Sequence, residues 1–203
     1  MITLIGGSLV LSILHALIPN HWLPILAIGK KEGWSITQTT KITILSGLAH
    51  ALSTVLIGFL VGFIGVSLSD QPYFSHFITP GILISLGVFY IYQHHHHKHF
   101  HLHATNQGSS NYKVVAGLVI AMFFSPCFEI EAFFLMAGSH GGWQEMMLLA
   151  VLYTVVTVCG MTLWVGIAYK GIVKFNWHTL EHNSGIIAGW TLIATGLASF
   201  AFS

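Results

Sequence analysis

Residues 14–22 read Leu-His-Ala-Leu-Ile-Pro-Asn-His-Trp and lie inside the first apolar run of the chain. Pro19 removes a backbone donor and clashes with the preceding turn, so a helix is predicted to kink or break here. In a bilayer, such a break is tolerated only where protein or a water-filled cavity satisfies the freed backbone groups. His15, Asn20 and His21 flank the break and predict a site for a small polar solute, most simply a metal ion. The competing interpretation is a kink whose histidines bond to neighbouring helices.

The composition indicates a membrane protein. The chain of 203 residues is 54% hydrophobic and 6% charged, whereas about 25% of the residues in soluble domains are charged. A net charge of +1 with neutral histidines gives no basic surface for nucleic acid. Cys127 and Cys159 lie inside apolar runs, which argues against an extracellular disulfide framework. The first residues lack the basic start and cleavage site of a signal peptide, so the first run is predicted to be a retained helix.

Six apolar runs divide the chain, and each approaches the length of about 20 residues that crosses about 30 Å of hydrocarbon. They cover residues 2–28, 42–66, 73–92, 114–136, 146–169 and 184–202. The predicted fold class is therefore all-α, a polytopic membrane protein with six transmembrane helices.

The lysines predict the orientation of these helices. All seven lie in alternate connections, after the first, third and fifth runs. The positive-inside rule then places these connections in the cytoplasm and both termini outside a cell membrane, either the inner or the plasma membrane.

The two halves of the chain resemble each other. Pro19 and Pro126 are 107 residues apart, and His50 and Cys159 are 109 apart. We therefore predict two three-helix repeats, residues 1–93 and 113–203, with proline-broken first and fourth helices and a histidine-rich cytoplasmic loop at residues 94–112. An odd number of helices per repeat requires the halves to face opposite ways, as in many secondary transporters whose broken helices meet at a midplane site.

The fourth run supplies the second half of this site. Residues 125–131 read Ser-Pro-Cys-Phe-Glu-Ile-Glu, and a carboxylate at the bilayer centre costs roughly 3 kcal/mol. Glu129 and Glu131 have no intramembrane lysine, so they need a bound cation or a proton; protonated glutamates bonded to backbone are the alternative. Residues two apart point apart on an unbroken helix, and we favour Glu129 as the ligand. His50 would add an imidazole, and Cys127 a thiolate, although a small buried thiol is the commoner role.

Three short motifs resemble those of nickel/cobalt transporters. His15-x4-Asn20-His21 resembles the H-x4-D-H motif of an early helix, Gly47-Leu48-Ala49-His50 resembles a second-helix Gly-x-x-His, and Ser125-Pro126-Cys127 resembles a fourth-helix Pro-Cys. The overall plan is similar to the efflux and permease branch and to relatives called urease-accessory transporters, which have six helices and often a central histidine-rich loop.

The resemblance implies a carrier of nickel, cobalt or a related ion. Asn20 stands where the family usually has aspartate, so the first half of the site loses a charge. Glu129 or Glu131 would restore it, and the metal preference would move with it.

A histidine tract occupies the centre of the chain. Imidazole suits zinc, copper, iron, nickel and cobalt, and a cytoplasmic tract of this kind would collect such ions at low affinity near the pore. The alternative is a solvated low-complexity loop without a role. The tract contains His94, His95, His96, His97, His99, His101 and His103.

One catalytic motif lacks a ligand that its chemistry needs. His178-Thr179-Leu180-Glu181-His182 matches the H-x-x-E-H signature of zinc proteases. Such a site wants a further protein ligand, yet no acidic residue and no histidine follows His182. We expect no enzymatic activity.

The functional hypothesis is a secondary transporter of divalent transition metals that works by alternating access around a midplane site. Its substrate would be nickel, cobalt or zinc, with iron and manganese also open, and proton coupling would act through the imidazoles. We expect no organic cofactor, and a homo-oligomer stays open. The ligands, in order of preference, are His15, His21, His50 and Glu129, then Asn20, Glu131 and Cys127.

Two other functions compete. A membrane thiol–disulfide electron carrier also uses inverted three-helix halves, but it needs a cysteine in each half. The first-half position that matches Cys127 falls near Asn20 and His21. A sensor or accessory subunit would share every ligand but would carry no flux.

Overall fold

The computed structural model describes residues 2–19, 21–68, 77–96, 111–140, 142–171, 186, 190–197 and 200. No β-strand occurs in this part of the chain, so the all-α prediction is confirmed for it. Residues 190–197 are helical. The other helices are α1 (Ile2–Leu17), α2 (Trp22–Lys31), α3 (Ile36–Ser67), α4 (Thr79–His96), α5 (Asn111–Phe123), α6 (Phe128–His140) and α7 (Gly142–Tyr169).

Within the described residues, three stretches are long and apolar enough to cross a membrane: Leu4–Lys31, which covers most of α1 and all of α2, then α3, and then α7. A fourth is added if α5 and α6 form one bent span, and α4 contributes a shorter apolar stretch, Pro80–Phe89. These helices are compatible with a membrane-embedded protein. The prediction of six spans reaches residues outside the described part of the chain and stays a prediction.

The distribution of polar and apolar residues on α3 is the one expected of a helix in lipid. All its buried residues are small or polar, including His50, which is 0% exposed. Large apolar side chains cover its opposite face, and Leu60 is 70% exposed. In water this arrangement would be unfavourable, but helices in lipid pack through small and polar residues and turn large apolar ones outward.

Both predicted helix breaks are observed. At the first, α1 ends at Leu17 and α2 begins at Trp22, with Pro19 between them. Helical hydrogen bonding continues on both sides, since the Ile18 N–H donates to the Leu14 carbonyl (3.1 Å) and the Leu23 N–H donates to that of Pro19 (2.9 Å). At the second break, Pro126 lies between α5 and α6, whose axes are bent by 46°.

The short turn between α2 and α3 follows from its residues. Gly33 has a φ of 71°, a conformation that glycine adopts without steric cost. Ser35 then caps α3: its hydroxyl accepts from the Gln38 N–H (3.3 Å), and the Gln38 side chain accepts from the Ser35 N–H (2.9 Å). This capping box fixes the start of α3, and therefore the height of His50 along the helix.

The long helices α3 and α7 pack against each other at the centre, with α1 against α7 and α5 against α3. Helix α6 contacts both α3 and α7. A buried cluster that includes Phe133, Phe134 and Tyr153 fills the space between these helices. The two breaks therefore meet the same central pair of helices.

Helices α3 and α6 approach so closely that glycines are required. A side chain on Gly62 would meet the Phe134 main-chain oxygen, and one on Gly138 would meet the Gly62 main chain. Gly58 lies directly against the Phe134 ring, and Gly65 against main-chain atoms of α6. We call Gly58, Gly62, Gly65 and Gly138 the glycine contact.

Two helix ends differ from the predicted boundaries of the histidine-rich loop. Helix α4 continues to His96, three residues past the predicted end of the first repeat, and α5 begins at Asn111, two residues before the predicted start of the second. A helix that starts in an apolar run extends into polar sequence until a residue stops it, and no proline or glycine follows Gly87 before His96.

Candidate metal centre

The first break brings His15 and His21 together. His15 lies in the last turn of α1, and His21 immediately precedes α2. Six positions on a straight helix would point the two rings in different directions, since a helix turns once every 3.6 residues. The break removes this constraint, and the ring centroids lie 4.8 Å apart.

His50 of α3 completes a cluster of three imidazoles. Its Nε2 lies 3.1 Å from the His15 Nε2, and its ring centroid lies 4.4 Å from that of His21. One ligand nitrogen from each of the three rings lies within 4.8 Å of the others. We call His15, His21 and His50 the imidazole cluster.

The separation of the two Nε2 atoms matches a shared ion. Two nitrogens bound to one zinc at about 2.0–2.1 Å, at angles near 90–109°, would be separated by about 2.9–3.4 Å. The observed 3.1 Å between His15 and His50 falls in this range. Without an ion, one of the two nitrogens must donate a proton to the other, because two lone pairs at this distance repel.

His50 has contacts at both its ring and its main chain. The Tyr153 hydroxyl of α7 lies 3.1 Å from its Nε2. The Ser53 and Thr54 hydroxyls donate to the His50 carbonyl, at 2.9 and 3.0 Å, rather than to its ring. The Nε2 therefore faces both the His15 ring and the Tyr153 hydroxyl, each at 3.1 Å.

The second break places a thiol and a carboxylate beside the same His15. The Cys127 Sγ lies 3.5 Å from the His15 Nδ1 and donates to the Glu129 Oε2 at 2.8 Å. Ligand atoms of these three residues also lie within 4.8 Å of one another. We call His15, Cys127 and Glu129 the thiol group.

Thr54 connects the two breaks through α3. The Cys127 N–H at the start of α6 donates to the Thr54 Oγ1 at 3.1 Å, and Thr54 itself donates to the His50 carbonyl. This satisfies one of the N–H groups that a helix start leaves unpaired. The contact fixes the height of Cys127 relative to His50.

Glu131 lies apart from both groups. It is 7% exposed, and neither of its carboxylate oxygens has a hydrogen-bond partner within the described residues. The structure therefore brings Glu129, but not Glu131, to the histidines.

Cys159, the sequence counterpart of His50, does not join the site. It is exposed on α7 and belongs to neither group. The repeat spacing matches positions along the chain but does not fix the rotation of α7 about its axis.

Some of the predicted ligands lie outside the described residues. They are Asn20, His97, His99, His101 and His103, and the motif at residues 178–182 lies outside as well. His94, His95 and His96 form the end of α4.

Two residues near the site were not predicted. Thr54 carried a usable signal, because it lies one helical turn after His50 and is polar within an apolar run. Tyr153 carried none: its hydroxyl contacts a helix 103 positions away in sequence, and nothing in the surrounding residues indicates that partner.

Comparisons with known proteins do not identify a family for this chain. No protein-family model, no curated protein and no solved structure matches the chain.

Proposed function

We propose that this protein is a secondary transporter of divalent transition-metal ions, embedded in an inner or plasma membrane. The observation that carries the proposal is the imidazole cluster, in which histidines from α1, from the residue before α2 and from α3 meet beside a helix break inside an apolar bundle. His50 is buried and His15 and His21 are partly buried. Imidazole nitrogens in such a place need polar partners, and one metal ion would be a partner for all three rings.

The three imidazole donors limit the metal ions that the site would bind. Imidazole nitrogens suit nickel, cobalt, zinc, iron and copper, whereas magnesium and calcium prefer oxygen ligands. Nickel, cobalt and zinc are therefore the first substrates to test, and manganese the last.

Two features support an inverted repeat as the basis of alternating access. Helix α1 packs against α7, and α5 packs against α3, so each broken helix contacts the long helix of the other half. Gly33 and Gly142 both have positive φ, and each precedes a tryptophan. In this proposal the two halves face opposite ways, both termini lie outside, and the histidine tract faces the cytoplasm.

Transport in this scheme uses the imidazoles in two forms. Neutral rings bind the ion when the site is closed around it. When the ion leaves, the rings accept protons, so metal movement is coupled to proton movement.

The two competing functions are weaker. A thiol–disulfide carrier needs two cysteines in contact, but Cys127 contacts His15 and Glu129, and both cysteines are free. A sensor or accessory subunit would hold the same ligands, and only a flux measurement separates it from a transporter.

The test is ion uptake into liposomes that contain the purified full-length chain and an internal fluorescent metal indicator. We expect saturable uptake of nickel, cobalt or zinc, equal uptake in the Cys159→Ser control, and uptake at the protein-free level in His21→Ala. Absence of uptake for all these ions in correctly folded wild-type protein would overturn the proposal. Full uptake in His21→Ala would also overturn it.

A further inference from the structure

His15 takes part in both ligand groups through opposite atoms of one ring. Its Nε2 lies 3.1 Å from the His50 Nε2, whereas its Nδ1 lies 3.5 Å from the Cys127 Sγ. The imidazole cluster and the thiol group therefore lie on opposite sides of one imidazole.

We propose that the thiol group is a second metal site, distinct from the imidazole cluster, in which the His15 Nδ1, the Cys127 Sγ and the Glu129 carboxylate bind a borderline or soft divalent ion such as zinc, cobalt or cadmium. This inference deepens the proposed function, because it assigns a second position to the same class of ion.

The distances suit an ion after one adjustment. A sulfur at about 2.3 Å and a nitrogen at about 2.0–2.1 Å from one ion, at angles near 90–109°, would be about 3.1–3.6 Å apart. The observed 3.5 Å between Cys127 and His15 fits this range. The 2.8 Å between the Cys127 Sγ and the Glu129 Oε2 is a hydrogen bond, which lengthens when the ion replaces the thiol proton.

Metal binding at the thiol group exchanges one proton for one ion. The divalent ion displaces the proton of the Cys127 thiol, forms a metal–sulfur bond and releases one proton to solvent, because the thiolate is the form that binds metal. With the Glu129 carboxylate, the site then offers two negative charges to two positive charges. The imidazole cluster offers none, so the thiol group is expected to be the tighter of the two sites in an apolar surrounding.

Occupation of the two sites is linked through His15. A neutral imidazole has one lone pair and one N–H. The ring therefore binds an ion through Nε2 or through Nδ1, but not through both. An ion that moves between the sites requires His15 to exchange its tautomer, which makes this ring the transfer point.

The experiment is a cobalt titration of the purified full-length protein in detergent micelles, monitored by thiolate-to-cobalt charge-transfer absorption. Imidazoles give no such band, so the histidine tract does not contribute to it. We expect the band in wild-type protein and in Cys159→Ser, which keeps the buried thiol. We expect no band in Cys127→Ser, because this variant lacks the buried thiol.

A second variant separates two sites from one merged site. His21 belongs only to the imidazole cluster, so His21→Ala should keep the charge-transfer band. Loss of the band in His21→Ala would overturn the proposal of separate sites. A wild-type band that is missing, or that persists in Cys127→Ser, would overturn the thiol group as a site.

The outcome is independent of transport. A protein that shows the band but moves no ion would refute the proposed function and leave the second site standing. A protein that transports ions without the band would do the reverse.

Discussion

The two helix breaks use the same device but supply opposite chemistry. Pro19 interrupts a helix whose two parts stay within one span, and it presents the neutral rings of His15 and His21. Pro126 interrupts a helix pair bent by 46°, and it presents Cys127 and Glu129. A proline break frees the positions of nearby side chains, and the residues beside it determine which ligand chemistry results.

The two breaks differ in the charge of the ligands that they supply. An ion held by the first break alone would keep its full positive charge in a surrounding of low dielectric constant, where uncompensated charge is unfavourable. An ion at the second break would be neutralised by its ligands. The first break therefore suits a site that releases its ion easily, and the second a site that retains it.

The largest expected effect comes from His50, which lies against both rings of the first break. In the Cys127→Ser background, which removes the tighter thiol group, His50→Ala should weaken zinc binding by about a hundredfold or more, since loss of a ligand exceeds the 10–100-fold effect of losing its supporting residues. Isothermal titration measures this, with Cys159→Ser in the same background as the matched control. Affinity within a factor of two of Cys127→Ser alone would mean that the first break does not bind metal.

The two glutamates of α6 provide the sharpest comparison within one helix. Glu129→Gln removes a charge that contacts Cys127 and should weaken cobalt binding by about tenfold, with a smaller charge-transfer band. Glu131→Gln removes a carboxylate that has no partner within the described residues, and it should leave cobalt affinity unchanged. Equal effects of the two variants would contradict the assignment of Glu129 to the second break.

Tyr153 is expected to act in the opposite direction. Its hydroxyl lies at hydrogen-bond distance from the His50 Nε2, which must be free to bind an ion. Tyr153→Phe removes a hydrogen bond of about 1 kcal/mol, so zinc affinity should rise by about fivefold in the same titration. Weaker binding would show that the hydroxyl positions the ring rather than competing for its lone pair.

The smallest effect concerns the histidine tract, which lies outside both breaks. Deletion of residues 97–103 leaves α4 intact, since that helix ends at His96. Liposome flux at saturating metal should be unchanged, and the metal concentration at half-maximal flux should rise. Loss of all flux in a folded deletion variant would move the essential ligands from the breaks to the tract.

Much of the fold could be predicted because its signals are local. The apolar runs predict helices, and Pro19 and Pro126 predict both interruptions. His15, His21 and His50 are predicted ligands because each is unfavourable in lipid, and the structure brings them together.

Which side chains meet in the site depends on the rotation of each helix about its axis. An apolar sequence does not specify this rotation. A helix that is apolar on all sides gives no periodic signal for its inward face. The sequence therefore does not indicate Tyr153, and the repeat spacing matches Cys159 to His50 although Cys159 is exposed. The choice between Glu129 and Glu131, and the division of the ligands into two groups, required coordinates for the same reason.

The glycine contact has a consequence for motion. At Gly65 and Gly138 the main chains of α3 and α6 touch without intervening side chains, whereas Gly58 lies against the Phe134 ring, so the two helices cannot move closer. In the proposed repeat, α3 and α6 belong to different halves. In the proposed function, the two halves would rock about this contact, and the site between them would open first to one side of the membrane and then to the other.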